Sequence, residues 1–358
     1  MASRDERIRE VGFFKNAISR PELGSVFGLI IIIITFMILT SLSGTFSAMW
    51  VRPIGIQAWV ELAAFVGILA IGASLLMIAG EFDLSMGANV ALAGHSFALL
   101  LLFGVPIELA ILLTFIELAF LGFIIGTIVV RTGLPSFIVT LAFWFASRGL
   151  AVFLSQTFMN QSRLSVKSII KPPPGGGEDP TLIDNIFAFD SAFGLPFDAE
   201  VYYFIILIIF IAYLLHRTQY GNWIYASGGD PVAARATGVP VANVKISLFM
   251  ISTSLACLLG ILTVMTSGAS DPKAGDFREL HAIAAAVIGG CALTGGYGSV
   301  VGAAFGAFIF AIASRGINFV PFIDNNLFRV MLGLLILGSA LLNPVSYTHL
   351  TLPTICSV

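Results

Sequence analysis

The chain has 358 residues, of which 58% are hydrophobic and 11% charged, with 18 Lys+Arg against 20 Asp+Glu. Soluble domains carry about 25% charge, so the composition excludes a soluble enzyme, and a net charge of -2 leaves no basic face for nucleic acid. Cys257, Cys291 and Cys356 are too dispersed for a disulfide framework or a metal cluster.

Arg4, Arg7, Arg9, Lys15 and Arg20 precede the first apolar run. Positive charge marks the cytoplasmic side, so residues 1–23 are expected to be a cytoplasmic N-terminal segment. The run itself is too long for a cleavable signal peptide, and no small-residue cleavage site follows it. Charge-free windows at 23–51, 62–80, 84–107 and 246–270 each hold one crossing, given about 20 apolar residues per span. The window 280–314 would run about 50 Å as one helix, too long for a single crossing. Thr294-Gly295-Gly296-Tyr297-Gly298 falls near its middle, and such a glycine cluster breaks a helix.

The sequence therefore predicts an all-α polytopic membrane bundle, one transmembrane domain over 24–345. About ten crossings are expected, at 24–43, 59–79, 86–103, 107–130, 137–154, 201–216, 246–267, 282–295, 298–315 and 327–343. Ten crossings put the loop 217–245 in the cytoplasm, where Arg217, Arg235 and Lys245 face only Asp230. The acidic loop 155–200 then lies outside; its Pro172–Gly177 stretch reads as an exposed connector or a docking surface. Ser346–Val358 fits no pattern and reads as a non-native tail.

No phosphate-binding loop, His-Glu-x-x-His, Cys-x-x-Cys or Gly-x-Ser-x-Gly is present. No catalytic residue and no metal ligand set is assigned, and His95, His216, His281 and His349 are scattered. Gly24/Gly28, Gly122/Gly126 and the ridge Gly298-Gly302-Gly306 have the four-residue spacing that lets helix backbones approach in lipid.

Ionisable groups inside spans are costly and so point to function. Asp83, in Gly80-Glu81-Phe82-Asp83-Leu84-Ser85-Met86-Gly87, suggests an interrupted helix whose next turn it caps; a short turn between spans is the competing reading. Asp83, Asn89, Phe137 and Thr140 are candidates for a translocation path, or for packing and capping. Glu117 and Arg148 fall at similar depth in adjacent crossings, so an ion pair between them is expected, as structural glue or as part of a path.

The loop Gly228-Gly229-Asp230-Pro231-Val232-Ala233-Ala234-Arg235-Ala236-Thr237-Gly238 has a helix-capping Asp, a Pro at N1 and a terminating Gly. It predicts a two-turn helix outside the membrane, too short to be stable without a partner surface.

Four ordered blocks resemble the permease subunits of ribose-, xylose- and galactose-type ABC sugar importers. They are Gly80–Gly87; Leu134–Leu141 with Arg148–Ala151; Ala233-Ala234-Arg235 with Gly238; and His281–Gly290 with Leu293–Gly296 and Gly298–Val300. The resemblance spans about 24–343. It implies that Gly228, Asp230, Pro231, Ala233, Ala234, Arg235 and Gly238 form a coupling helix against separate ATPase subunits. ATP and magnesium would be bound by those ATPases, and this chain would hold no cofactor. It further implies two inverted halves, a second permease chain, a periplasmic sugar-binding protein and residence in the bacterial inner membrane. The expected function is translocation of a monosaccharide or related polyol. An ion-coupled secondary transporter using acids such as Glu117, and a membrane scaffold without transport, are the alternatives.

Overall fold

A computed structural model of the chain describes residues 21–170, 197–324, 326–328, 330–334 and 336–338. The expected cytoplasmic segment before Pro21, the Pro172–Gly177 stretch and the tail from Ser346 lie outside the described residues.

In chain order the helices are α1 (Pro21–Leu42), α2 (Phe46–Trp50), α3 (Pro53–Ile78), α4 (Met86–Leu102), α5 (Ile107–Thr132) and α6 (Ser136–Met159). They continue as α7 (Lys167–Ile170), α8 (Ala199–Arg217), α9 (Gln219–Gly229), α10 (Pro231–Ala236), α11 (Val241–Ser267), α12 (Arg278–Ile288) and α13 (Val300–Gly316). Local chemistry sets several boundaries. Pro53 occupies the first turn of α3 behind an extended Arg52. Gly133 and Gly268 close α5 and α11 in the left-handed conformation.

Seven of these helices are long and apolar enough to cross a membrane: α1, α3, α5, α6, α8, α11 and α13 with its 3-10 extension; α4 is a shorter apolar helix. The chain is thus a multi-pass membrane protein. Ten crossings were expected; among the described residues seven helices of spanning length and the shorter α4 are present. The stretch predicted to cross at 282–295 is α12, 11 residues long, or about 16 Å at 1.5 Å per residue, half the hydrocarbon thickness. The Gly289–Ser299 run breaks it off early, and a run of turns over 272–277 precedes it. The described residues of 327–338 are helical where the last crossing was expected.

α3, α11 and α13 are mostly buried, whereas α1, α5, α6 and α8 bury little of their surface. The buried three form the centre and the others a rim whose apolar faces suit lipid. Close backbone approach holds the centre together. At Gly122 and Gly126 of α5 a methyl group would press on the backbone of Met250 and Ile246 in α11. At Gly302 and Gly306 of α13 it would overlap the carbonyls of Gly289 and Ala285. These two predicted Gly-x-x-x-Gly pairs are packing surfaces; Gly24 has open space beside it.

The ends of the bundle are tied separately. At one end a two-residue antiparallel ladder, β1 (Leu164–Ser165) with β2 (Ala269–Ser270), joins the loop after α6 to the end of α11. Buried His95 fastens the same end, its ring nitrogens within hydrogen-bond distance of Ser270 Oγ and the Ser162 carbonyl. At the other end α9 and α10 lie beside the last turn of α3 and the first turn of α11.

Candidate functional site

Two non-helical segments enter the bundle from opposite ends. Residues 79–85 leave the α9–α10 end and lead into α4; residues 271–277 leave the β1–β2 end and lead into α12. Each must satisfy its backbone polar groups from neighbours, because lipid offers none. The Phe82 and Leu84 N–H groups donate to Ser136 Oγ and Thr140 Oγ1 of α6, both at 3.0 Å. The carbonyls of Pro272 and Ala274 accept from Arg148 Nη1, the latter at 3.0 Å.

The segments meet in the middle. Arg148 stands 12 residues into the 24-residue α6, about 18 Å from its first residue at 1.5 Å per residue. Gly87, in the first turn of α4, lies so close to Gly275 that a methyl on either would overlap the other's carbonyl. The first turns of α4 and α12 therefore converge, and their aligned peptide dipoles favour negative charge there.

Two polar clusters occupy this level. In the first, Asp83 is 1% exposed. Its Oδ1 accepts from the Ser85 N–H at 2.8 Å and from Ser85 Oγ at 2.6 Å, and its Oδ2 accepts from Ser252 Oγ of α11 at 2.6 Å. Asn89 extends the chain: its Nδ2 donates to Ser85 Oγ at 2.9 Å, and its Oδ1 accepts from Ser147 Oγ at 2.8 Å. Asp83, Asn89 and Thr140 are thus brought together, inside the protein. Replacing Asp83 with alanine strands three buried donors at about 1–3 kcal/mol each. Asp83→Ala is expected to lower the melting temperature well beyond Asp83→Asn, which keeps an acceptor. Equal melting curves for the two variants in detergent would remove the stabilising role of this cluster.

In the second cluster Arg148 Nη2 pairs with Asp276 Oδ1 at 2.6 Å, and the guanidinium lies 5.7 Å from the Trp144 ring centroid. Trp144 Nε1 donates to Glu279 Oε1 at 3.1 Å. Glu279 is 5% exposed and its Oε2, tucked against Gly87, has no hydrogen-bond partner. Asp276 is different: 40% of its side chain is exposed. Phe137, 49% exposed, is 7 and 11 residues from Trp144 and Arg148 on α6. That spacing aligns all three on one helix face.

The expected pair of Glu117 with Arg148 is not formed. Glu117 on α5 faces α4, where Ser96 Oγ donates to its Oε1 at 3.0 Å. Arg148 faces the 271–277 segment instead. Equal depth was legible in the sequence; the rotation of each helix about its axis was not. Sequence reasoning also passed over Trp144, Ser252, Asp276 and Glu279. Glu279 borders the charge-free window 280–314, and an acid in the first turn of a broken helix was the available signal.

At the α9–α10 end the short helix stands where it was expected. α10 runs Pro231–Ala236, with Asp230 Oδ1 accepting from the Val232 and Ala233 N–H groups at 2.9 and 3.0 Å. Gly238 ends it at φ +87°, its N–H donating to the Arg235 carbonyl at 3.0 Å. Ala234 is buried, while Val232, Ala233 and Arg235 are exposed. The 11-residue α9 before it was not foreseen; Thr218 caps it by accepting from the Gly221 N–H.

A family model for the branched-chain amino acid transport system / permease component matches residues 55–340. The chain is similar to the inner membrane ABC transporter permease protein YjfF of Escherichia coli K12, 33% identical over 277 residues, 76% of this chain and 78% of that one. It is similar to the ribose import permease protein RbsC of Escherichia coli K12, 32% identical over 70% of this chain and 74% of that one. The fructose import permease protein FrcC of Rhizobium meliloti is 30% identical over 76% of this chain and 73% of its own length. No solved structure matches the chain. Interrupted helices meeting at a buried polar level, a capped helix outside the bundle and similarity along most of the length converge on one assignment: the chain belongs to the branched-chain amino acid transport system / permease component family, whose members are transport components.

Proposed function

We propose that this chain is the permease subunit of an ATP-driven importer of a monosaccharide or related polyol, in a bacterial inner membrane with its N-terminus in the cytoplasm. The observation that carries the reading is α10, a capped peg with an exposed face at the end of the bundle where the interrupted segment 79–85 begins. Its partners are a pair of ABC ATPases beneath, which bind the ATP and magnesium, a second permease chain beside it and a periplasmic sugar-binding protein above. ATPase closure moves α10, and the pair of permeases changes access from one side to the other. The opposite entry of the two interrupted segments supports two inverted halves, and with α4 and α12 as part-crossings and the helical residues within 327–338 as the last, the chain would pass ten times.

The half-exposed Asp276 carboxylate lies level with the middle of α6, where a charge cannot face hydrocarbon. A water-filled passage against the second permease chain accounts for it. Phe137, Trp144, Arg148 and Asp276 would line that passage, with Asp83, Asn89 and Thr140 holding the walls from inside. Rings with carboxylate and guanidinium groups suit a polyhydroxylated solute. The family description names amino acids and the relatives' names name ribose and fructose. Uptake by the reconstituted assembly is expected to require ATP, to survive collapse of the proton gradient and to prefer a monosaccharide over branched-chain amino acids. Uptake driven by the proton gradient alone would establish a secondary transporter instead.

The peg has its own test. Proline at 238 cannot adopt φ +87° and has no N–H for the Arg235 carbonyl, while Arg235→Glu reverses an exposed charge. Both variants are expected to insert normally and to lose ATPase co-purification at least tenfold. Normal ATPase recovery with both would remove α10 from the docking surface.

A further inference from the structure

Three segments distant in sequence meet at the α9–α10 end with no side chain between them. The Ile78 carbonyl, at the end of α3, accepts the Gly296 N–H at 2.8 Å. Gly228, near the end of α9, lies against the same carbonyl: a methyl there would overlap Ile78 O and reach Gly296 N at 2.8 Å. A methyl on Gly295 would meet Gly228 O at 2.7 Å and Gly80 Cα at 3.0 Å, and one on Gly296 would meet Gly229 Cα at 2.8 Å. Two side-chain links brace the contact. Tyr225 Oη of α9 donates to the Gly298 carbonyl at 2.9 Å. Lys245 of α11 pairs with Glu81 at 2.5 Å.

Each segment leads somewhere different. Gly228 and Gly229 run directly into the Asp230 cap of α10. Ile78 and Gly80 run into the 79–85 segment and α4. Gly295 and Gly296 belong to the turn joining α12 to α13. The contact therefore connects the peg to both interrupted helices, whose far ends meet at Gly87 and Gly275. Backbone on backbone leaves no side-chain rotamers to absorb a displacement, and close-packed contacts shift between discrete arrangements rather than deforming smoothly.

We propose that Gly228, Gly295 and Gly296 with the Ile78 carbonyl form the joint that transmits movement of α10 to both α4 and α12 at once. They act as positioning residues. The inference rests on the reading of the chain as a permease driven through α10. A side chain at this joint would separate α9 from the two segments without altering the exposed face of α10, so ATPase docking and solute movement come apart.

The full importer, with its ATPase and binding protein in liposomes, tests this with four permeases: wild type, Gly296→Ala, Tyr225→Phe and Gly24→Ala. Gly24 has open space around it and controls for the added methyl. Gly296→Ala is expected to keep ATPase co-purification and ATP hydrolysis within twofold of wild type while solute moved per ATP falls at least tenfold. Tyr225→Phe, which removes one hydroxyl and adds no bulk, is expected to lower the same ratio two- to fivefold; it decides the matter should Gly296→Ala fail to fold. Gly24→Ala is expected to match wild type. A normal solute-to-ATP ratio in Gly296→Ala, or in Tyr225→Phe where Gly296→Ala does not fold, overturns the joint. A wild-type assembly without ATP-driven uptake overturns the permease reading itself and the joint with it.

Discussion

Replacing Arg148 with alanine will cut the yield of folded protein severely, before any question of transport arises. Its guanidinium holds the Pro272 and Ala274 carbonyls and the Asp276 carboxylate, and it lies beside the Trp144 ring that donates to Glu279. Removing it leaves two carbonyls and an acid without their partner in the middle of the bundle. Each buried carbonyl left without a donor costs about 1–3 kcal/mol, and the half-exposed pair with Asp276 adds less, against total stabilities of about 5–15 kcal/mol. Arg148→Lys should recover part of the loss, since an ammonium keeps the charge but lacks the planar fork that reaches several acceptors. Size-exclusion profiles and melting curves of detergent-solubilised protein are the measurement. A monodisperse Arg148→Ala protein of wild-type stability that fails only in uptake would assign Arg148 to the passage and not to the scaffold.

An alanine at Gly87 or Gly275 will be the next most damaging change. The first turn of α4 touches the turn preceding α12 there through backbone atoms. At Gly87 a methyl would overlap Glu279 Oε2 and the Gly275 carbonyl. At Gly275 it would overlap the Gly87 carbonyl and approach Val90 Cβ at 3.1 Å. Overpacking of this kind costs about 1–3 kcal/mol. Gly275 also sits at φ +76°, where a Cβ adds about 1–2 kcal/mol. Neither site offers a flexible side-chain tip that can swing away from every clash, so the interrupted helices must separate. Gly149→Ala is the comparison, since that glycine of α6 has nothing within 4 Å, and it should melt at or slightly above the wild-type temperature. Similar melting temperatures for all three variants would show that these two turns do not depend on close approach.

The features legible in the sequence share a physical character. Membrane residence followed from charge-free apolar windows, because burying charge in lipid is prohibitive whatever the fold. The break near Thr294–Gly298 and the interruption at Gly80–Gly87 were legible because glycine and a short-chain acid change local backbone preference. α10 was legible for the same reason: Asp230, Pro231 and Gly238 act within one or two turns of themselves. The errors were of another kind. A helix at 282–295 was expected to cross because apolar composition says nothing of where a chain leaves the helix inside the bundle, and α12 covers only Arg278–Ile288. Glu117 was matched with Arg148 by depth, and depth leaves the facing direction of each side chain undetermined.

The sequence by itself determined that the chain spans a membrane repeatedly and that a short capped helix stands outside the bundle. Those properties depend on hydration and on contacts between residues a few positions apart. Only the tertiary structure decided that Arg148 takes Asp276, that Glu279 lies at the meeting of two half-helices, and that Gly228 rests on Ile78 and Gly296. Those neighbours lie 68 to 192 residues apart in the chain. Their pairing is fixed by how helices rotate and pack against one another, which no local preference encodes.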